Sequence, residues 1–158
     1  MEASTIRILF VEDFAPFRAL ARSMLSGNPL LRVIGEASDG LDAVAKAREL
    51  RPELILMDIG LPKLNGLEAA RRIRELVPSS KIVFLTQESD MDIVQEALSI
   101  GACGFVAKGQ AGSELLAGLE SVLRGELFVS SGLASKLTSE MSIRGLASNL
   151  RIEISISC

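Results

Sequence analysis

Five short apolar runs, each followed by a stretch with helical spacing, limit most strongly what this chain can fold into. The runs are Ile8 to Val11, Val33-Ile34, Leu54 to Met57, Ile82 to Leu85 and Phe105 to Ala107, and their Ile, Val, Leu and Phe content reads as strand. Phe17, Leu20, Ala21, Met24 and Leu25 follow an i, i+3, i+4, i+7, i+8 stripe, and Leu115, Leu116, Leu119, Val122 and Leu123 nearly repeat it. Weaker helical stretches run from Leu41 to Leu50, Leu67 to Val77 and Ile93 to Leu98, with Gly, Pro, Ser or Asp at most junctions. A βα unit repeated five times demands a mostly parallel sheet, and nearly continuous apolar strands mean that helices cover both faces. The expectation is an α/β, (βα)5 doubly wound parallel sheet. Its winding reverses once, and ligands gather at that reversal, beyond the carboxyl ends of the strands.

Composition narrows the chemistry available there. With 158 residues, 48% of them hydrophobic, the chain forms one ordinary domain with a remainder. Histidine is absent, which removes Ser-His-Asp and Cys-His nucleophilic arrangements, histidine metal ligands and any phosphohistidine on this chain. Cys103 and Cys158 form no close pair, so no zinc knuckle or CxxC redox site can be drawn, and a reducing, cytoplasmic setting is expected. Seventeen basic against twenty acidic side chains lack the footprint of a dedicated nucleic-acid binder, and no direct nucleic-acid binding is expected. No apolar run approaches a membrane span, and Met1-Glu2 lacks a basic leader, so no membrane partner is expected either.

The strand ends carry what chemistry remains. Glu12-Asp13 follow the first strand, Asp58 the third, Thr86 the fourth and Lys108 the fifth. Strand order 3-2-1-4-5 would hold the first and third strands about 9 to 10 Å apart. Order 2-1-3-4-5 makes them neighbours, puts Thr86 beside Asp58, and lets Lys108 return over the site on its flexible stem. The second order is adopted because it assembles a site. Three converging carboxylates repel unless a pKa rises or a cation enters, and hard oxygen ligands suit Mg²⁺. Such a metal, with open positions, can accept phosphoryl oxygens during in-line transfer to a carboxylate nucleophile. Asp58 is the candidate nucleophile, Lys108 the positive charge for the transferred group, and the Thr86 hydroxyl a donor to one of its oxygens.

These pieces carry a resemblance. Ile8-Leu9-Phe10-Val11-Glu12-Asp13, Leu56-Met57-Asp58-Ile59 with Leu61-Pro62 and Asn65-Gly66, Phe84-Leu85-Thr86, and Gly101 through Lys108 resemble the receiver domain of two-component response regulators, the CheY-like superfamily, over residues 5–128. The resemblance implies the flavodoxin-like, CheY-like fold and a phosphoacceptor rather than an enzyme, with at most slow Mg²⁺-dependent autophosphorylation and autodephosphorylation. It implies that Asp58 accepts the phosphoryl group of a sensor histidine kinase's phosphohistidine. Glu12 and Asp13 would hold Mg²⁺ with Asp58 and the Gly60 carbonyl, while Thr86, Lys108 and Phe105 form the conformational switch. It further implies the regulatory part of a transcriptional regulator, and a homodimer through the fourth helix, fifth strand and fifth helix.

Two departures stand out. Gln87 follows the switch threonine where the family usually has Ala or Gly, and its bulk narrows the phosphoryl entrance. Gly109 follows the lysine where many receivers have proline, a variation also found in the LuxR-type helix-turn-helix subgroup. Gln87 motivates an alternative reading, a receiver-like interaction module that works independently of phosphorylation. An FMN binder is disfavoured because two anions stand where its phosphate loop would be. A haloacid-dehalogenase-like phosphatase is disfavoured because Gly60 stands where its second Asp would be.

Residues 129–158 are expected to be a linker helix and tail, without a complete output domain. Leu133, Leu137 and Met141 at i, i+4, i+8 read as a helix resembling the linker of LuxR-type regulators, and the tail is too short and too neutral for a helix-turn-helix. Leu150, Ile152, Ile154 and Ile156 alternate with polar residues in a strand pattern.

Overall fold

The computed structural model describes residues 5–87 and 90–134. Strands β1 (Ile6–Val11), β2 (Leu31–Ala37), β3 (Leu54–Asp58), β4 (Lys81–Thr86) and β5 (Gly104–Ala107) alternate with helices α1 (Ala15–Leu25), α2 (Gly40–Leu50), α3 (Gly66–Leu76), α4 (Met91–Ile100) and α5 (Ala111–Leu123). The sheet order is β2-β1-β3-β4-β5-β6, with every pair parallel. The expected 2-1-3-4-5 order is therefore present, and a sixth strand, β6 (Phe128–Val129), extends it along the free edge of β5.

Strand parity divides the core into two layers. Leu9, Val11, Ile55, Met57, Phe84 and Phe105 pack with Ala43, Ala47, Ala70, Ile73, Val94 and Leu98 of α2, α3 and α4. Ile8, Phe10, Leu54, Leu56, Val83, Leu85 and Val106 pack with Ala21 and Leu25 of α1 and Leu115, Leu119 and Val122 of α5. Alternate side chains of one strand point to opposite faces, so a strand apolar at every position feeds both layers at once. The sequence stripe on α1 is only partly buried: Ala21 and Leu25 are in the core, whereas Leu20 is 53% exposed. The second strand is longer than Val33-Ile34, because polar residues such as Arg32 and Glu36 are tolerated at the sheet edge.

Helix starts are set by local chemistry. Asp39, Asn65 and Asp90 accept from the N–H of Asp42, Glu68 and Asp92, satisfying amides that the helix itself leaves open. Gly66 opens α3 hard against the end of β3: a Cβ there would lie 2.3 Å from the Asp58 carbonyl oxygen and 2.8 Å from the Ile59 Cα. Only glycine allows that approach, which fixes where Asp58 sits relative to α3.

A helical turn at 131–134 begins where the linker helix was expected, and Leu133 is buried in the layer that holds Phe105. Leu137, Met141 and the alternating pattern from Leu150 to Ile156 lie outside the described residues.

Gly66→Ala is expected to lower stability by about 1–3 kcal/mol, since the clash is with backbone that cannot rotate away. Urea unfolding measures it, and a loss under about 0.5 kcal/mol would show that the loop relaxes freely.

Candidate functional site

The winding reversal after β2 sends β1 and β3 into adjacent places in the sheet, and their carboxyl ends bring the acidic residues together. Glu12, Asp13 and Asp58 each offer a carboxylate oxygen within 4.8 Å of the others. Glu12 is fully buried and Asp58 nearly so, while Asp13 is exposed. Lys108, at the end of β5, reaches back with its Nζ 2.8 Å from Glu12 Oε1 and 3.3 Å from Asp58 Oδ2. Its ammonium also lies 4.8 Å from the centre of the Phe17 ring on α1. That ring face is an attractive wall for a cation and adds a third contact to the ammonium.

Glu12 is fixed on every side. Its Oε2 accepts from the Phe14 N–H at 3.1 Å, so it binds an amide at the start of α1, where Phe14 itself offers no side-chain cap. The Arg18 guanidinium donates to the Glu12 carbonyl at 2.9 Å. Glu12 Oε1 is wholly buried and makes no hydrogen bond of ordinary geometry, leaving the ammonium contact as an ion pair. Burial pushes the Glu12 carboxyl above its ordinary value; the Lys108 and Phe14 contacts oppose the rise, and the Asp58 charge reinforces it.

Three carboxylates against one ammonium leave the cluster two formal negative charges in excess. The excess charge and the all-oxygen donor set fit a hard divalent cation. A cleft of about 560 Å³ opens above the acids, lined by Asp13, Phe14, Asp58, Asn65, Thr86 and Lys108 among others.

Each residue expected from the sequence has a definite place. Asp58, Thr86, Gly60 and Lys108 all line the cleft, and Gly60 N–H approaches Asp58 Oδ1 at 3.4 Å. Thr86 is buried and paired in register with Ala107, next to Lys108. Phe105 does not line the cleft; it is fully buried beneath it, its ring centre 5.6 Å from that of Phe84. Gln87 is exposed on the rim. Sequence reasoning missed Phe14, 58% exposed at the mouth, and the two supports Phe17 and Arg18. Phe17 and Arg18 stand one helical turn beyond the acidic pair, a spacing that could have flagged them.

Comparison with known proteins agrees with this geometry. The response regulator receiver domain model matches residues 8–120. An uncharacterized transcriptional regulatory protein, YxjL of Bacillus subtilis, is 34% identical over 140 residues, covering 89% of this chain and 64% of that protein. Response regulator UvrY of Escherichia coli K12 is 33% identical over 132 residues, covering 84% of this chain and 61% of that protein. The crystal structure of a LuxR-family two-component response regulator from Aurantimonas sp. SI85-9A1 matches with a TM-score of 0.84 at 31% identity, over 88% of this chain and 99% of that one. The response regulator domain of Thermotoga maritima CheB matches with a TM-score of 0.70 at 34% identity, over 76% and 97%. The chain belongs to the response regulator receiver domain family, and it spans less than two thirds of the length of these curated relatives. Among the described residues, no helix is long and apolar enough to cross a membrane.

Asp58→Asn removes one of three mutually repelling charges and is expected to raise the stability of the metal-free chain by on the order of 1 kcal/mol. Urea unfolding in a chelator tests this; a less stable Asn variant would mean that the Lys108 pair outweighs the repulsion.

Proposed function

We propose that Asp58 is the phosphoacceptor of this receiver, taking a phosphoryl group from the phosphohistidine of a sensor histidine kinase. The observation that carries the reading is the convergence of Glu12, Asp13 and Asp58 within 4.8 Å under a lysine that touches two of them. Glu12, Asp13, Asp58 and the Gly60 carbonyl would hold Mg²⁺, which when bound neutralises charge on phosphoryl oxygens. An Asp58 carboxylate oxygen attacks phosphorus, the P–N bond to the kinase imidazole breaks, and the imidazole leaves with the bonding pair. Lys108 then pairs with a phosphoryl oxygen and the Thr86 hydroxyl donates to another. The cleft, about 560 Å³ with the exposed Gln87 among its lining residues, has room for a phosphoryl group, which favours this reading over the phosphorylation-independent module.

The added charge of about −1.5 to −2 draws Lys108 and Thr86 inward, and Phe105 lies against the same strands. Two or three charge-assisted hydrogen bonds at ~1.5 to 3 kcal/mol each supply roughly 3 to 9 kcal/mol, a range that brackets the ~5.5 kcal/mol that inverts a strongly biased two-state population. We infer that this receiver is the regulatory part of a transcriptional regulator, as the name of the Bacillus subtilis relative suggests, and that it acts in the cytoplasm. A homodimer through α4, β5 and α5 would meet β6 at the β5 edge.

Incubation with acetyl phosphate and Mg²⁺ is expected to add one phosphoryl group per chain by intact-mass measurement. Asp58→Ala should abolish the label, and a variant labelled like the wild type overturns the assignment.

A pH dependence follows from Glu12. Its raised folded-state value means that the metal-free folded chain binds a proton more readily than the unfolded one, so stability is lost as pH rises from the ordinary carboxyl range through that raised value. A bound cation favours the ionised form and offsets that loss. The gain in melting temperature from Mg²⁺ should therefore be larger at about pH 8 than at about pH 5, and an equal gain at both would exclude Glu12 from the metal site.

A further inference from the structure

The segment after α5 is built into the sheet beside the site. β6 pairs parallel with β5, matching Gly104 with Phe128 and Phe105 with Val129. Small residues make the seat: a Cβ on Gly118 of α5 would come within 2.7 Å of the Phe128 ring, and one on Gly104 would lie 3.3 Å from the Phe128 carbonyl oxygen. Beyond β6, Ser130 is fully buried. Its N–H donates to the Phe105 carbonyl at 2.9 Å, and its hydroxyl accepts from the Ala107 N–H at 2.8 Å. Its carbonyl accepts the Ala134 N–H at 2.8 Å, the first bond of the helical turn at 131–134. A serine in that place ordinarily turns its hydroxyl to amides of its own helix. Here the hydroxyl reaches across to β5. The next residue is held as well, since the Ser131 N–H donates to Glu114 Oε2 on α5 at 3.3 Å. Leu133 closes the seat by packing in the layer of Phe105.

We infer that Ser130 is a positioning residue for Lys108. The inference rests on the phosphoacceptor reading and adds a control on that same site by the segment that follows it. Ala107 is the last residue of β5 and Lys108 the next, so the bond to the Ala107 amide fixes the point from which the lysine stem leaves the sheet. Glu12 and Asp13 follow β1 and Asp58 ends β3, with β4 between that pair of strands and β5, so Ser130 reaches the carboxylates only through Lys108. Ser130 touches none of these carboxylates, so its loss is expected to weaken binding of the phosphoryl group, which needs Lys108 directly, more than binding of the cation. Linkage makes the effect reciprocal: a phosphoryl group that draws Lys108 inward tightens the seating of 128–134, and seating of that segment favours the phosphoryl group.

The test uses the full chain and two probes, Mg²⁺ alone and beryllofluoride with Mg²⁺, each titrated by calorimetry. Ser130→Ala is expected to weaken beryllofluoride binding about three- to tenfold, the scale of one neutral hydrogen bond, with Mg²⁺ affinity within about twofold of the wild type. A purely structural role would move both affinities or neither, and either result overturns the inference. A second measurement needs no variant. In the wild type, beryllofluoride should slow amide hydrogen exchange of Ala107 and of 128–134 by about threefold or more, and unchanged exchange there while the acidic loop becomes protected also overturns it. If the wild type takes up neither probe, the phosphoacceptor reading itself falls and this inference with it. Normal uptake by the wild type and equal uptake by Ser130→Ala removes only the role of Ser130.

Discussion

An excess of negative charge held in a nearly dry pocket governs this molecule. Glu12 has no exposure, and its carboxylate meets one amide and one ammonium. Breaking such a buried pair by deleting one partner costs roughly 3–5 kcal/mol, so Lys108 is structural before it is functional. The surroundings follow from that need. Phe17 faces the ammonium, Arg18 holds the backbone of Glu12, and the Phe14 amide is turned to the carboxylate. A site arranged around an unbalanced charge responds to any added cation or anion, because either one changes which contacts of Lys108 are favourable.

The fold was legible because its strands are apolar at nearly every position and separated by helical stretches of similar length. Burial on both faces is what such strands require, and the two layers around β1, β3 and β4 meet it. Strand order could be argued only through function, by asking which arrangement brings Glu12-Asp13 and Asp58 together. That argument worked because parallel strands deliver all their carboxyl ends to one rim. Thr86 and Lys108 were readable for the same reason.

What the sequence hid had short or indirect signals. β6 is two residues long, Phe128 and Val129, and no periodicity exists over such a length. Its presence depends on Gly104 and Gly118 leaving room, a relation between distant positions that a local pattern does not carry. Phe17 looked like one more member of the α1 stripe, and its contact with an ammonium depends on how Lys108 crosses the sheet. Ser130 read as tail composition. It is fully buried and bonded to Phe105 and Ala107 of β5, contacts that no local pattern announces.

The division of the hydrophobic interior by strand parity gives β5 a directional character. Phe105 belongs to one compartment, with α2, α3, α4 and Leu133, while the very next residue, Val106, belongs to the other, with α1 and α5. A sideways displacement of Phe105 presses first on its own compartment, and the sheet stands as a partition between that side and the helix that carries Phe17. Under the proposed switch the polypeptide would be wired asymmetrically: the flank that carries Phe17 would hold the lysine, and the flank that carries Phe105 would register the state of the site.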